Sequence, residues 1–171
     1  MSGVVLWITG KPSAGKSTFA RAALRLLQTS KVPACMLDGD EVRAALRPPP
    51  GYDAAARDAF YETLGELAAL LARQGLCVLV PATASRAAFR ERAKQCAPAF
   101  LEVFVDVPQD EVEARDSKGL YRAVREGRAQ GVPGADAVFE TPARPDVTAR
   151  GGKDEVAIAE AVALATQRCG G

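Results

Sequence analysis

The chain has 171 residues, of which 48% are hydrophobic and 25% charged, and its formal net charge is +1. This composition is typical of a soluble globular protein, and the length predicts a single domain over residues 1–171. A near-neutral charge argues against nucleic-acid binding, which favours a basic excess. The absence of histidine excludes Ser-His-Asp triads and histidine-ligated metals.

The four cysteines, at positions 35, 77, 96 and 169, are widely spaced and form no C-x-x-C pair. Free thiols are therefore expected, with Cys77 acting as a small buried hydrophobe. The N-terminal residues show no secretory signal, and no apolar run is long enough to cross a membrane. These features favour a cytoplasmic protein that does not bind membranes.

Strand-like and helix-like segments alternate, which predicts an α/β fold with a mostly parallel sheet of about five strands and helices on both faces. Apolar, β-branched runs predict strands at 4–9, 33–37, 76–80 and 101–107. Helical periodicity and end signals predict helices at 16–29, 53–74, 85–96, 110–115 and 153–168. Two of these helices should bury apolar faces formed by Phe19, Ala23, Leu26 and Leu27 and by Phe60, Leu64, Leu67 and Leu71.

The segment from 116 to about 142 has a different character. It is charged, contains several glycines and shows little hydrophobic periodicity. A segment of this kind inside a compact domain is typical of a functional lid.

Residues 10–17 read Gly-Lys-Pro-Ser-Ala-Gly-Lys-Ser, which fits the phosphate-loop pattern G-x-x-x-x-G-K-[ST]. The motif follows a predicted strand and opens a predicted helix, where backbone N–H groups converge on phosphate oxygens. Lys16 would then reach the β- and γ-phosphates of ATP, and the Ser17 hydroxyl would ligate Mg²⁺. The alternative is a chance glycine-rich turn. The residues predicted to bind ATP are Gly10, Lys11, Pro12, Ser13, Ala14, Gly15, Lys16, Ser17 and Thr18.

The class of nucleotide enzyme follows from what else the chain contains. GTPases read guanine with an asparagine-containing N-K-x-D element, and this chain has no asparagine. Translocating ATPases normally belong to larger chains or assemblies. A small domain with a basic lid instead favours a kinase for a small molecule, in which positioning, Mg²⁺ and cations promote phosphoryl transfer.

Asp38-Gly39-Asp40 follows the second predicted strand, at the sheet edge where ligands bind in open α/β folds. One carboxylate could accept the proton of an attacking hydroxyl while the other holds a Mg²⁺-bound water. The alternative is a helix N-cap, a common role for aspartate at such a junction. Gly39 is expected to permit a sharp turn.

Residues 37–43 (LDGDEVR) and 116–121 (DSKGLY), together with the phosphate loop, resemble the adenylylsulfate kinase (APS kinase) family. The similarity extends over nearly the whole chain and includes Gly51-Tyr52, Arg57, Gly65-Glu66 and Phe104-Val-Asp106. It implies a P-loop kinase fold, MgATP as the donor and the 3′-hydroxyl of adenosine 5′-phosphosulfate (APS) as the acceptor. It also implies a small-molecule nucleotide as the binding partner and the possibility of a homodimer.

The resemblance implies roles for individual residues. Lys16, Asp40 and Lys118 would be catalytic, with Asp40 as the base, and Ser17 and Asp38 would hold the metal. Arg115 would lie near the ATP base. The acceptor would be bound by Arg43 and Arg57 on its phosphosulfate, by Tyr52 on its adenine, and by Asp38, Phe60, Lys118, Gly119 and Leu120.

Four positions depart from the family pattern, and all lie on the acceptor side. Glu41 and Phe60 stand where the family has asparagine, Ala84 replaces a serine beside Ser85, and Val132 replaces an aromatic residue. Three functions stay open at this point: an APS kinase, a kinase for another nucleotide-linked or small hydroxyl compound, and a nucleotide-binding module without turnover. Retention of the catalytic lysines and Asp40 speaks against the last.

Overall fold

Five parallel strands form one sheet in the computed structural model, which describes residues 2–169. Their order across the sheet is β2-β3-β1-β4-β5, with β1 at the centre. The strands are β1 (Val4–Thr9), β2 (Ala34–Met36), β3 (Cys77–Pro81), β4 (Phe100–Val105) and β5 (Val147–Ala149). The predicted parallel α/β fold is confirmed.

Helices lie in the crossovers between these strands, and a last helix follows β5. They are α1 (Lys16–Thr29), α2 (Gly39–Ala45), α3 (Ala54–Arg73), α4 (Ala87–Cys96), α5 (Gln109–Arg115), α6 (Leu120–Arg125) and α7 (Glu155–Cys169). None of those between residues 2 and 169 combines the length and the apolar character that a bilayer crossing requires.

The sheet is covered on both faces, because alternate side chains of β1 enter two separate hydrophobic clusters. Val4, Leu6 and Ile8 pack with α1 and α7 on one face, whereas Val5 and Trp7 pack with α3 and α4 on the other. All of β1 is buried. Its uninterrupted apolar run is therefore the pattern of a central parallel strand.

The carboxyl ends of the strands meet at one edge of the sheet. Thr9 at the end of β1 pairs with Phe104 of β4, and Val105 of β4 pairs with Ala149 of β5. Since the strands are parallel, the loops that follow β1, β2, β4 and β5 emerge on the same side. These loops contain the phosphate-loop motif, Asp38, the lid segment and a glycine pair at 151–152.

Three short elements were not predicted from the sequence: α2, α6 and β5. The first two have seven and six residues and β5 has three, which is too short for a periodic signal. The predicted helix at 85–96 begins at Ala87, because Arg86 is extended. The last helix begins at Glu155 because the Asp154 carboxylate accepts a hydrogen bond from the Ala157 N–H, at 3.1 Å, and caps it.

The predicted apolar faces are partly wrong. Phe19, Ala23 and Leu27 are buried, but Leu26 is 44% exposed; on α3 Leu67 is 36% exposed. Small residues take the inward positions of α3, where Ala68, Ala69 and Ala72 are buried. Close approach of α3 to α4 depends on Gly65, because an added Cβ would lie 3.2 Å from Ala93.

The segment from 116 to 142 has more structure than its sequence pattern predicts. It contains α6 and ends against the sheet, where Phe139 stacks on Phe104 with ring centroids 6.1 Å apart. The buried Arg90 donates a 2.7 Å hydrogen bond to the Glu140 carbonyl and a 2.8 Å bond to the Glu102 carboxylate of β4. The C-terminal end of the segment is thus attached to the sheet and to Arg90 of α4.

Candidate active site

The phosphate-loop motif forms the turn between β1 and α1. Ser13 has φ 65° and Gly15 φ 99°, the left-handed conformation that a tight loop requires. Gly10 must lack a side chain, because a Cβ there would lie 2.7 Å from the Val105 carbonyl oxygen. No side chain among residues 2–169 caps the N-terminus of α1, so its backbone N–H groups can donate hydrogen bonds to a bound anion.

Lys16 opens α1 and points back across the loop, where its Nζ donates a 2.8 Å hydrogen bond to the Lys11 carbonyl. Burial, assisted by the nearby Lys118 ammonium, lowers the pKa of Lys16 to about 7, although Asp40 and Asp38 oppose the shift. An anionic ligand such as a phosphate would strongly stabilise the charged form of this buried ammonium group.

Asp38 fits both interpretations of the Asp38-Gly39-Asp40 motif, the helix N-cap and the metal-binding carboxylate. One carboxylate oxygen accepts a 3.0 Å hydrogen bond from the Asp40 N–H and caps α2, and the other accepts a 2.5 Å bond from the Ser17 hydroxyl. The hydroxyl and carboxylate oxygens of Ser17 and Asp38 are the hard donors that Mg²⁺ prefers. These two residues therefore fit the predicted metal site.

Gly39 does not form the sharp turn that was expected. It is the first residue of α2 and is buried, and its role is to allow close approach. An added Cβ would lie 3.3 Å from Ala82 Cβ and 3.4 Å from the Pro81 carbonyl oxygen. The lack of a side chain thus lets α2 begin directly against the end of β3.

Asp40 and Lys118 meet across the site. Their side chains form an ion pair in which the Lys118 ammonium donates to Asp40 Oδ2, and both are exposed. Gly119, with φ 67°, turns the chain into α6, of which Leu120 is the first residue. The pair therefore links the start of α2 to the lid segment and leaves the carboxylate open to a ligand.

Arg43 lies between two aromatic rings. Its guanidinium carbon is 4.5 Å from the centroid of the exposed Tyr52 and 4.0 Å from that of the buried Phe60. It also donates hydrogen bonds to the carbonyls of Pro50 (3.3 Å) and Gly51 (2.9 Å). Phe60 is both a core residue and a platform for Arg43, so the departure from asparagine has a structural role here.

Arg57 connects α3 to the lid segment. Its guanidinium donates a 2.8 Å hydrogen bond to the Gly131 carbonyl. The Asp136 carboxylate accepts the N–H groups of Gly131 and Val132 at 2.8 and 2.7 Å, which shapes this turn. Those hydrogen bonds lower the pKa of Asp136. Val132 is buried in the turn, at 7% exposure.

Ala84 and Ser85, which the sequence predicts to lie on the acceptor side, are both buried. The Ala84 N–H donates a 3.0 Å hydrogen bond to the Tyr61 hydroxyl, and the Ala84 carbonyl accepts a 2.7 Å bond from Arg90. The departure from serine at position 84 therefore leaves no side-chain hydroxyl there, and the backbone groups are already hydrogen-bonded.

A cavity of about 1100 Å³ adjoins the phosphate loop. Four predicted ATP-binding residues line it: Ser13, Gly15, Thr18 and Arg115. The other wall is the loop after β5, residues 150–154, which sequence reasoning missed. A Cβ on Gly152 would lie 2.5 Å from the Gly15 carbonyl oxygen. In the sequence, the Gly151-Gly152 pair after the last strand is the feature that could have predicted this close contact between the loop after β5 and the phosphate loop.

The comparisons with known proteins point to one family. A family model described as adenylylsulphate kinase matches residues 2–150. A probable adenylyl-sulfate kinase from Synechocystis is 40% identical over 154 residues, covering 90% of this chain and 87% of that protein. An adenylyl-sulfate kinase from Yersinia pestis is 40% identical over 151 residues, covering 87% of this chain and 71% of that protein.

Solved structures agree with these sequence matches. The Mycobacterium tuberculosis APS kinase CysC, in complex with AMPPNP and APS, superposes with a TM-score of 0.84 at 33% identity, covering 99% of both chains. The crystal structure of APE1195 superposes with a TM-score of 0.87 at 27% identity, covering 98% of this chain and 97% of that one.

We expect nucleotide binding to take up a proton above neutral pH. The free Lys16 has a pKa of about 7, and a bound phosphate should raise it toward its ordinary value. Binding of Mg²⁺-ADP should therefore take up nearly one proton at pH 8 and roughly none at pH 6. The affinity for Mg²⁺-ADP should fall as the pH rises above 7, because binding then requires protonation of Lys16. Calorimetry in buffers of different ionisation enthalpy measures this uptake.

The matched control is Lys16→Met, which removes the titrating group and keeps the apolar stem. Its binding, although weaker, should show no difference in proton uptake between pH 6 and pH 8. Equal uptake by the wild type at both pH values would contradict the lowered pKa.

Proposed function

The chain belongs to the adenylylsulphate kinase family, and we propose that it transfers the γ-phosphoryl group of ATP to the 3′-hydroxyl of adenosine 5′-phosphosulfate. The products are ADP and 3′-phosphoadenylylsulfate. The observation that carries the proposal is the hydrogen bond between Ser17 and Asp38, which places the phosphate loop directly beside Asp40. Donor and acceptor elements therefore meet at one point of the sheet edge.

The donor side binds ATP through the phosphate loop and the adjoining cavity. Lys16 would exchange the Lys11 carbonyl for the β- and γ-phosphates, and the backbone donors from Gly10 to Thr18 would surround them. Arg115 also lines this cavity, where the base would lie. Ser17 and Asp38 would hold Mg²⁺, which neutralises phosphate charge when bound.

The chemical step requires a base beside the acceptor hydroxyl. Asp40 would take the hydroxyl proton while the acceptor oxygen forms its bond to the γ-phosphorus. The bond from that phosphorus to the β,γ-bridging oxygen breaks, and its electron pair leaves with ADP. Lys118, which contacts Asp40, would turn to the transferring phosphoryl group, whose negative charge it stabilises with Lys16.

The acceptor side offers two arginines and an aromatic ring. Arg43 and Arg57 would bind the phosphosulfate, since guanidinium groups suit oxyanions. Tyr52, which is 69% exposed, has a ring face available for the adenine. Gly119 and Leu120 would follow Lys118 onto the acceptor as part of a lid formed by residues 116–142.

Two further properties belong to this proposal. All four cysteines lie among residues 2–169 and are free, which favours a reducing compartment such as the cytoplasm. A homodimer is the assembly that the family resemblance implies. Leu67 and Leu70 on α3 are exposed at 36% and 48%, which is compatible with an interface there.

The first test of function is an ADP-release assay with a panel of acceptors. We expect the wild type to turn over with APS much faster than with other nucleotides, and Lys16→Ala to lose at least about a hundredfold in kcat while remaining folded. Rapid turnover only with another hydroxyl compound would favour a different acceptor. Absence of turnover with every acceptor would contradict the kinase function.

The second test separates the acceptor side from the donor side. Arg43→Ala or Arg57→Ala should lower kcat/KM for APS by roughly ten- to hundredfold, since each removes a charge-assisted hydrogen bond, and should leave the KM for ATP nearly unchanged. Steady-state kinetics with each substrate varied in turn measures this difference.

Arg92→Ala is the matched control, because Arg92 forms an exposed ion pair with Glu62 at 3.6 Å on the α3–α4 surface. Arg92→Ala should change neither the kcat/KM for APS nor the KM for ATP. An equal loss for ATP and APS in Arg43→Ala and Arg57→Ala would show that these arginines do not act on the acceptor.

A further inference from the structure

The lid segment is hydrogen-bonded directly to the phosphate loop. The Tyr121 hydroxyl donates a 3.0 Å bond to the Pro12 carbonyl across 109 positions of sequence, and the bond is buried. Nearby, the Ser117 N–H donates to Ser13 Oγ at 3.2 Å, and the two serine hydroxyls lie 3.3 Å apart. One short segment therefore holds two consecutive residues of the loop.

Tyr121 is itself rigidly placed. Its side chain is 2% exposed and belongs to the main hydrophobic cluster. The Asp116 carboxylate accepts the N–H groups of Tyr121 (3.0 Å) and Arg122 (2.9 Å). Desolvation, followed by the charges of Glu113 and Asp116, raises the pKa of Tyr121 to about 12, so its hydroxyl remains a donor at assay pH.

The loop needs such a partner because of how its backbone is used. A phosphate loop directs N–H groups at the ligand, so carbonyls such as that of Pro12 face the protein and need donors of their own. The Lys11 carbonyl accepts from the Lys16 ammonium at 2.8 Å and from the Ala14 N–H at 3.2 Å, and a bound phosphate would withdraw the ammonium group. The Tyr121 bond to Pro12 would then remain.

We propose that Tyr121 is a positioning residue that holds the phosphate loop in its nucleotide-binding conformation through the Pro12 carbonyl. The proposal rests on the proposed function for its effect on turnover, whereas its effect on nucleotide binding can be measured without an acceptor. The residue touches neither substrate; it acts through Pro12 and, with Ser117, makes the loop depend on the lid. Without the hydroxyl, part of the population leaves the competent loop conformation and binds more weakly.

The test measures Mg²⁺-AMPPNP affinity by calorimetry for Tyr121→Phe, which keeps the buried ring and removes only the donor. We expect about threefold to tenfold weaker binding, the effect of one lost neutral hydrogen bond. Hydrogen exchange at residues 11–17 should become faster in the nucleotide-free protein. Ser117→Ala, at an exposed position, should weaken binding in the same direction by a smaller factor.

The control is Thr166→Val, which removes a hydroxyl that donates 2.8 Å to the Val162 carbonyl on the exposed face of α7. It should leave nucleotide affinity unchanged. A lower melting temperature for Tyr121→Phe with wild-type nucleotide affinity would make Tyr121 a core residue only and overturn the proposal. If the affinity falls as expected but no acceptor supports turnover, the proposed function fails and the positioning role stands.

Discussion

The carboxylate of Asp38 is the point at which the two halves of the site are joined. One oxygen receives the Ser17 hydroxyl at 2.5 Å and so fixes the start of α1; the other receives the Asp40 N–H at 3.0 Å and so fixes the start of α2. The residue is buried, and a buried carboxylate requires such donors. Because one side chain is hydrogen-bonded to the first turns of both helices, the phosphate loop and Asp40 keep a fixed relation, which in-line transfer needs.

The charges around this carboxylate act on one another before any ligand binds. Lys118 is paired to Asp40 from the lid side. Burial and the Lys118 charge lower the pKa of Lys16, whereas the Asp40 and Asp38 carboxylates oppose that shift. A triphosphate would add negative charge where the two lysines lie and release them from their present partners. The lid thus belongs to the electrostatics of the site, since it supplies one of the two cations.

Local patterns in the sequence predicted the parallel sheet, the phosphate loop and the position of the Asp38 motif, because a periodicity of two or 3.6 and a fixed glycine spacing are visible in consecutive residues. Contacts between distant residues could not be predicted. Arg57 meets Gly131 across 74 positions and Tyr121 meets Pro12 across 109. Leu26 and Leu67 were predicted to be buried but are exposed, because the helical periodicity of apolar residues does not indicate how wide the buried face of a helix is.

The most direct test of the joining role is to compare Asp38→Ala with Asp53→Ala, because both lose a helix N-cap; Asp53 caps α3 through the Ala56 N–H at 3.0 Å. Steady-state kinetics should show that Asp38→Ala raises the KM for ATP and for APS together and lowers kcat, whereas Asp53→Ala leaves the KM for ATP unchanged. If Asp38→Ala altered the KM of only one substrate, or neither, the two halves of the site would not depend on this carboxylate.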